Sequence, residues 1–187
     1  MTKRTDITAD YARQLFDYDP KTGVLTWKPR TPDMFKDNSR RTAAQECLSW
    51  NTRFSGKDAG WVKPSGYRMV CIEYVQYRAH HVIWLMVTGK WPDDQLDHRN
   101  GVRSKNNFSN LREATNAQNH QNMKTRADNT SGFTGVSWHG QVHKWVAYIN
   151  HAGKRSSLGL FERAEDAHKA YLDAKLRLHS FQPVPRE

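Results

Sequence analysis

The stretch that decides the fold is Asp97-His98-Arg99-Asn100-Gly101-Val102-Arg103-Ser104-Lys105-Asn106-Asn107-Phe108-Ser109-Asn110-Leu111-Arg112-Glu113-Ala114-Thr115-Asn116-Ala117-Gln118-Asn119-His120. Leu96-Asp97-His98 reads as a short strand entering a turn at Asn100-Gly101, with Leu111-Arg112-Glu113-Ala114 as the returning strand. Thr115-Asn116-Ala117-Gln118 has the capping-box spacing, so a helix is expected to start there, with Asn119 in its first turn. Strand, loop, strand and helix in that order would converge Asp97, His98 and Asn119 on one spot.

That trio suits phosphodiester hydrolysis. A hard divalent cation such as Mg2+, or Mn2+, takes oxygen ligands, and Asp97 with the Asn119 amide oxygen supplies two, leaving places for phosphate and water. A neutral His98, with an ordinary pKa of ~6.5, takes a proton from water near neutral pH. Taken singly, Asp97-His98 reads as a surface turn and Asn119 as an exposed helix residue. It is their joint spacing that points to chemistry.

The composition agrees with a nucleic-acid partner. The chain has 187 residues, room for one or two domains, with 29 Lys+Arg against 19 Asp+Glu and a net charge of +10. A basic surface attracts polyanions at long range, and nucleic acid, double-stranded DNA included, is the commonest. Mean hydropathy is −0.89, but seven Trp, seven Tyr and seven Phe are enough to anchor small cores. No apolar run approaches a bilayer span and no apolar stretch follows the basic N-terminal residues, so a cytoplasmic protein without a membrane partner is expected. Cys47 and Cys71 are too few for a disulfide framework or a thiolate zinc site; both are expected as reduced thiols, with no structural zinc.

Along the chain, residues 10–16 form a short helical pattern that ends in the turn Asp19-Pro20-Lys21-Thr22-Gly23, and Val24-Leu25-Thr26-Trp27 reads as a strand. Residues 28–56 lack periodicity and read as loop with a short helix near 42–48. Residues 67–72 and 75–79 read as a hairpin turning at Glu73-Tyr74, followed by an apolar helix over 82–87 that Gly89 ends and Pro92 keeps from resuming. Residues 122–130 read as a linker. Three strand-like pieces follow, at 133–139, 144–150 and 155–161, the last two joined by a turn at His151-Ala152-Gly153-Lys154. In the middle piece Trp145, Ala147 and Ile149 share one face. A helix from Ala164 to Leu178 carries Ala167, Tyr171, Ala174 and Leu178 on one stripe. The expected division is an N-terminal extension (1–56), a domain carrying the Asp97-His98 cluster (57–122), a linker (123–130), a small two-layer domain (131–179) and a tail (180–187).

Asp97-His98-x-Asn-Gly, then Asn106, Asn110-Leu111-Arg112 and Asn119, resembles the HNH nucleases. The likeness extends over about residues 66–122, including His80-His81-Val82-Ile83-Trp84, Gly89 and Trp91-Pro92. It is strongest to the phage and intron-encoded homing endonucleases with His-Asn-Asn in place of His-Asn-His. The resemblance implies a ββα-metal fold and a metal-dependent DNA endonuclease, phage-encoded and acting in a bacterial host cell. It implies that His98 is the general base, that Asp97 and Asn119 are the metal ligands, and that Asn110 fixes the loop through backbone hydrogen bonds. His80 matches a recurrent family histidine, read either as a phosphate contact or as a packed helix-start residue. His120 adjoins Asn119, so a shift of one residue in helix phase would exchange them.

The segment Ser131-Gly132-Phe133-Thr134-Gly135-Val136-Ser137-Trp138, with Lys144-Trp145-Val146-Ala147-Tyr148-Ile149, Leu158-Gly159-Leu160-Phe161 and residues 165–171, resembles the DNA-binding domain of plant ethylene-response factors. The resemblance implies a three-stranded sheet packed on one helix that enters the major groove. The readers expected are Trp138, His139, Lys144, Trp145, Tyr148, Lys154 and Arg155, with at least one of Trp138 and Trp145 in the core. His143, Ser156 and Ser157 stand where more basic residues would be expected. Arg99, Arg103, Lys105, Arg112, Lys124 and Arg126 are the further DNA contacts expected.

The fold class expected is therefore α+β, a ββα-metal core plus a small three-stranded antiparallel sheet on one helix. The function expected is site-directed, homing-type cleavage of DNA by a monomer, nicking one strand or cutting both. The rival readings are a DNA-binding protein without cleavage and a non-specific degradative nuclease.

Overall fold

A computed structural model of the chain describes residues 7–121, 129–179 and 181. The chain forms two compact units that divide between Ala114 and Thr115.

The first unit opens with helix α1 (Ala9–Leu15), capped where Tyr11 N donates to Thr8 Oγ1 at 3.2 Å. Strands β1 (Phe16–Asp19) and β2 (Val24–Trp27) follow as an antiparallel hairpin. Its turn is set by Asp19, whose carboxylate accepts from Lys21 N at 2.8 Å and Thr22 Oγ1 at 2.7 Å. Helix α2 (Ala43–Phe54) is longer than the sequence alone predicts. Its full capping box at Thr42 and Gln45 starts it, and Trp50 on its inner face stacks on the Arg30 guanidinium at 4.0 Å.

Strands β3 (Trp61–Val62), β4 (Arg68–Ile72) and β5 (Val75–Arg78) make a three-stranded antiparallel sheet. Glu73 and Tyr74 both take left-handed backbone angles, as a two-residue turn matched to strand twist requires. Helix α3 (Ala79–Thr88) ends at Gly89 in the left-handed region. Strands β6 (Gln95–His98) and β7 (Leu111–Ala114) pair antiparallel, with Asp97 opposite Arg112 and His98 opposite Leu111.

One apolar core serves this whole unit. Leu15, Phe16 and Leu25 bury together with Val70, Ile72, Val82, Ile83 and Leu111. Residues 7–27 are thus part of the core, which differs from the expected boundary at 56/57. The apolar residues of α1 and the first hairpin could not be seen from sequence to share a core with α3. Polar contacts fasten the same elements. Arg13 donates to Met86 O at 2.9 and 2.6 Å, and Trp91 Nε1 to Ile7 O at 3.1 Å.

The second unit begins with helix α4 (Asn116–Gln121). Strands β8 (Val136–His139), β9 (Lys144–His151) and β10 (Lys154–Phe161) form an antiparallel sheet in the order β10-β9-β8. Helix α5 (Ala164–Leu178) covers one face through Ala167, Tyr171 and Ala174, against Val136, Ala147 and Ile149. Leu178 departs from the expected stripe and is exposed. β8 starts at Val136 rather than 133, because Gly135 has φ +76° and its backbone lies against the Tyr171 ring. The linker expected at 123–130 falls mostly outside the described residues. No helix among the described residues is long and apolar enough to cross a membrane.

If residues 7–27 are core, Phe16→Ala should destabilise the first unit by ~3–5 kcal/mol, the usual cost of emptying a buried aromatic site. Denaturant unfolding read at first-unit probes checks this, and a loss below about 1 kcal/mol would mean the segment is peripheral.

Candidate active site

β6 ends inside the core, and that placement governs its side chains. Asp97 and His98 are 8% and 3% exposed. Arg112, directly across the strand pair, donates to Asp97 Oδ2 from Nε at 3.1 Å and Nη2 at 3.0 Å. Both side chains of this ion pair are close to buried. Arg112, also expected to contact DNA, makes this ion pair with Asp97 in the structure.

The His98 ring lies 4.8 Å from the His80 ring, edge to face, with Tyr67 5.4 Å from His80 and 6.2 Å from His98. His98 Nε2 is 2.9 Å from Asn106 Oδ1. Burial pushes the His98 pKa down, assisted by the Arg103 and Arg78 cations and opposed by the Asn106 hydrogen bond and Asp97. The ring is therefore neutral at pH 7, the form a general base requires.

His80 is fully buried, and neither ring nitrogen has a hydrogen-bond partner among the described residues. Burial holds its pKa well below the ordinary value, with His81, His98 and Arg78 adding to the effect. Its ring meets other rings rather than solvent, so the packed reading of His80 fits the structure and the direct phosphate contact does not.

The loop between β6 and β7 has almost no regular structure, and Asn110 ties it. Its Oδ1 accepts from Asn100 N at 3.1 Å, and its Nδ2 donates to Asn100 Oδ1 at 3.0 Å and Lys105 O at 2.8 Å. Asn100 Oδ1 also accepts from Val102 N at 2.9 Å. Arg99 and Lys105 are exposed on this loop. Arg103 is exposed too; it donates to Ser65 O at 3.0 Å and lies over the Tyr67 ring at 4.9 Å, with Arg78 over the same ring at 4.6 Å.

The structure thus gathers Asp97, His98, His80 and Asn110 in the first unit. Asn119 lies on α4 in the second, where the expected capping box forms: Thr115 N donates to Gln118 Oε1 at 2.9 Å and Gln118 N to Thr115 Oγ1 at 3.3 Å. Among the described residues, no three His, Cys, Asp or Glu side chains gather as a metal cluster. Within the first unit the oxygen donor offered is the Asp97 carboxylate, a hard ligand of the kind that Mg2+ takes. Sequence reasoning missed Asn106 as the partner of His98, and also Tyr67 and Arg78. Asn106 stood inside the motif; nothing local marked the other two.

Comparison with known proteins bears on this geometry. The HNH endonuclease family matches residues 77–121, the span from the end of β5 to the end of α4. Protein 3.8 of Escherichia phage T7 is 34% identical over 83 residues, covering 44% of this chain and 69% of that protein. The chain belongs to the family of that phage protein, and residues 77–121 are an HNH endonuclease domain. No solved structure matches. Within the HNH domain lie β6, β7 and α4, in that order, with His80, Asp97, His98, Asn106, Asn110 and Asn119.

In the second unit, strand register sorts the expected DNA readers. Trp138 and Trp145 face each other across β8 and β9 on the helix side of the sheet. Of the two tryptophans, at least one of which was expected in the core, Trp145 packs on the core while Trp138 is half exposed. Lys154, paired with His151, is exposed at the end of that side. His139, Lys144, Tyr148 and Arg155 lie on the other face, with Arg155 stacked on Tyr148 at 3.8 Å and Lys144 bonded to Glu162 at 2.9 Å. Lys124 and Arg126 lie outside the described residues.

The burial of His80 has a consequence for stability. Its folded pKa is depressed, so between that value and ~6.5 the unfolded chain binds the extra proton. Stability should be complete above pH ~6.5 and fall as pH drops below it, by up to ~1.4 kcal/mol per pH unit from this one group. Unfolding measured from pH 7 to 5 should show a shallower fall in His80→Leu, and an identical slope would refute the assignment.

Proposed function

We propose that this chain is a metal-dependent DNA endonuclease in which His98 is the general base. The observation that carries the reading is a neutral, buried His98 beside Asp97 on β6, inside a matched HNH domain. When bound, a divalent cation such as Mg2+ or Mn2+ offsets the negative charge that builds on the phosphate and the leaving oxygen. Asp97 offers its carboxylate to that ion, with Arg112 holding the carboxylate in place. Asn119 offers its amide oxygen; this role rests on the motif spacing. His98 takes the proton of the attacking water. Asn110 keeps the intervening loop in one shape. Arg78 and Arg103, gripping Tyr67 beside the histidines, are suited to hold the scissile phosphate.

The second unit supplies affinity and register. The sheet face bearing His139, Tyr148 and Arg155 is basic and aromatic, the makings of a groove-binding surface like that of the ethylene-response-factor domains. This face favours a site-directed, homing-type enzyme over a degradative one. A monomer with one site makes a nick the expected product.

Supercoiled plasmid incubated with Mg2+ should convert to open circle, and EDTA should stop the conversion. His98→Ala should lower the rate by a factor on the order of 10²–10⁴, the share a general base contributes, while the gel shift with DNA persists. Cleavage unchanged by the substitution would remove His98 from the role, and binding without cleavage of any DNA by the native chain would favour a non-cutting binder. Arg155→Ala should weaken DNA binding and reduce its salt dependence by about one counterion, leaving the rate at saturating DNA unchanged.

A further inference from the structure

The hydrogen bond on His98 comes from a residue with no other visible purpose. Asn106 is fully buried, yet it sits in an irregular loop where polar side chains ordinarily face water. Its Oδ1 faces His98 Nε2 at 2.9 Å, while its Nδ2 has no partner among the described residues. A carbonyl oxygen only accepts, so this contact is a hydrogen bond when the proton resides on Nε2 and the lone pair on Nδ1. Leaving a buried amide group unpartnered is costly, which makes Asn106 a poor choice for packing alone.

The loop that carries Asn106 is held from outside the HNH domain. The Tyr18 hydroxyl on β1 accepts from Phe108 N at 2.8 Å and donates to Asn106 O at 3.2 Å. Asn107 Nδ2 donates to Pro20 O at 3.2 Å and also to Lys21 O. Gly23, at φ +75°, closes the contact: a Cβ there would lie 2.6 Å from Asn106 C and 2.9 Å from Asn106 N. Backbone therefore meets backbone where the β1–β2 turn presses on the loop. Tyr18 and Gly23 both precede the residues 77–121 that match the family.

We propose that Asn106 is a positioning residue that fixes the His98 tautomer, and that the β1–β2 hairpin is the brace that places Asn106. This rests on the nuclease reading for its consequence but not for its test. The tautomer is read by long-range 1H–15N NMR of the His98 ring in the full chain, without DNA or metal. The expected result is protonated Nε2 in the native chain and in Asn106→Asp, which keeps the acceptor. Asn106→Leu should convert the ring to a mixture or to the Nδ1–H form.

Plasmid cleavage should follow the tautomer. Asn106→Leu should lose on the order of 10²-fold in kcat with KM for DNA little changed, and Asn106→Asp should restore most of it. Tyr18→Phe removes both hydroxyl bonds to the loop while keeping the ring, so it serves if Asn106→Leu does not fold. It should move the His98 ring signals in the same direction, with a smaller fall in kcat. An Nδ1–H ring in the native chain would overturn the proposal, as would a tautomer unmoved by Asn106→Leu or, should that variant not fold, by Tyr18→Phe. A chain that never cleaves DNA but shows the tautomer changes would refute the nuclease reading and leave the positioning role standing.

Discussion

Two imidazole rings, His80 and His98, are enclosed in the apolar interior of the first unit, and charging a buried ring is costly. Burial drives both toward the neutral form. For His80 that is the end of the matter: the ring packs edge to face on His98 and adds shape without charge. For His98 neutrality is an asset, because a base must arrive at the reaction without its proton. Asp97 stands beside it on the same strand, and there the structure solves the opposite problem. A carboxylate so nearly buried needs a cation, and Arg112 across the strand pair provides one.

The segments outside the HNH domain are also part of the machine. The loop between β6 and β7 is long and polar, and its few backbone hydrogen bonds, such as Arg99 N to Asn110 O at 2.8 Å, are supplemented by side chains that give it a shape. Asn110 does this from within and the β1–β2 hairpin from without. The hairpin can press on the loop because α1, β1 and β2 bury their apolar residues in the same core as α3. The β6–β7 pair thereby gains a wall, built from its own unit, on the side of His98.

Much of this was legible in the sequence. The order of β6, β7 and α4 followed from the Asn-Gly turn and the capping box at Thr115, which are local rules with local causes. The three-stranded sheet and α5 followed from alternation and a helical stripe, as did the turns at Glu73-Tyr74 and Ala152-Gly153. What could not be read are contacts between residues far apart in the chain. Tyr18 and Phe108 are ninety positions apart, and no periodicity joins them. Arg112 looked like one more basic residue in a basic cluster until register set it opposite Asp97. Trp145 looked like a reader of DNA until the strand phase turned it toward Ala167. The length of α2 was hidden because its inner face packs on Trp27 and Arg30 rather than on an evident apolar run.

The most direct measurement of the central claim is anomalous diffraction from crystals of the full chain grown with duplex DNA and Mn2+, using His98→Ala to hold the substrate intact. The account predicts an Mn2+ peak coordinated by the Asp97 carboxylate and a phosphate oxygen, with the space vacated by the His98 ring beside that phosphate. A peak remote from Asp97, or DNA lying away from the end of β6, would contradict it.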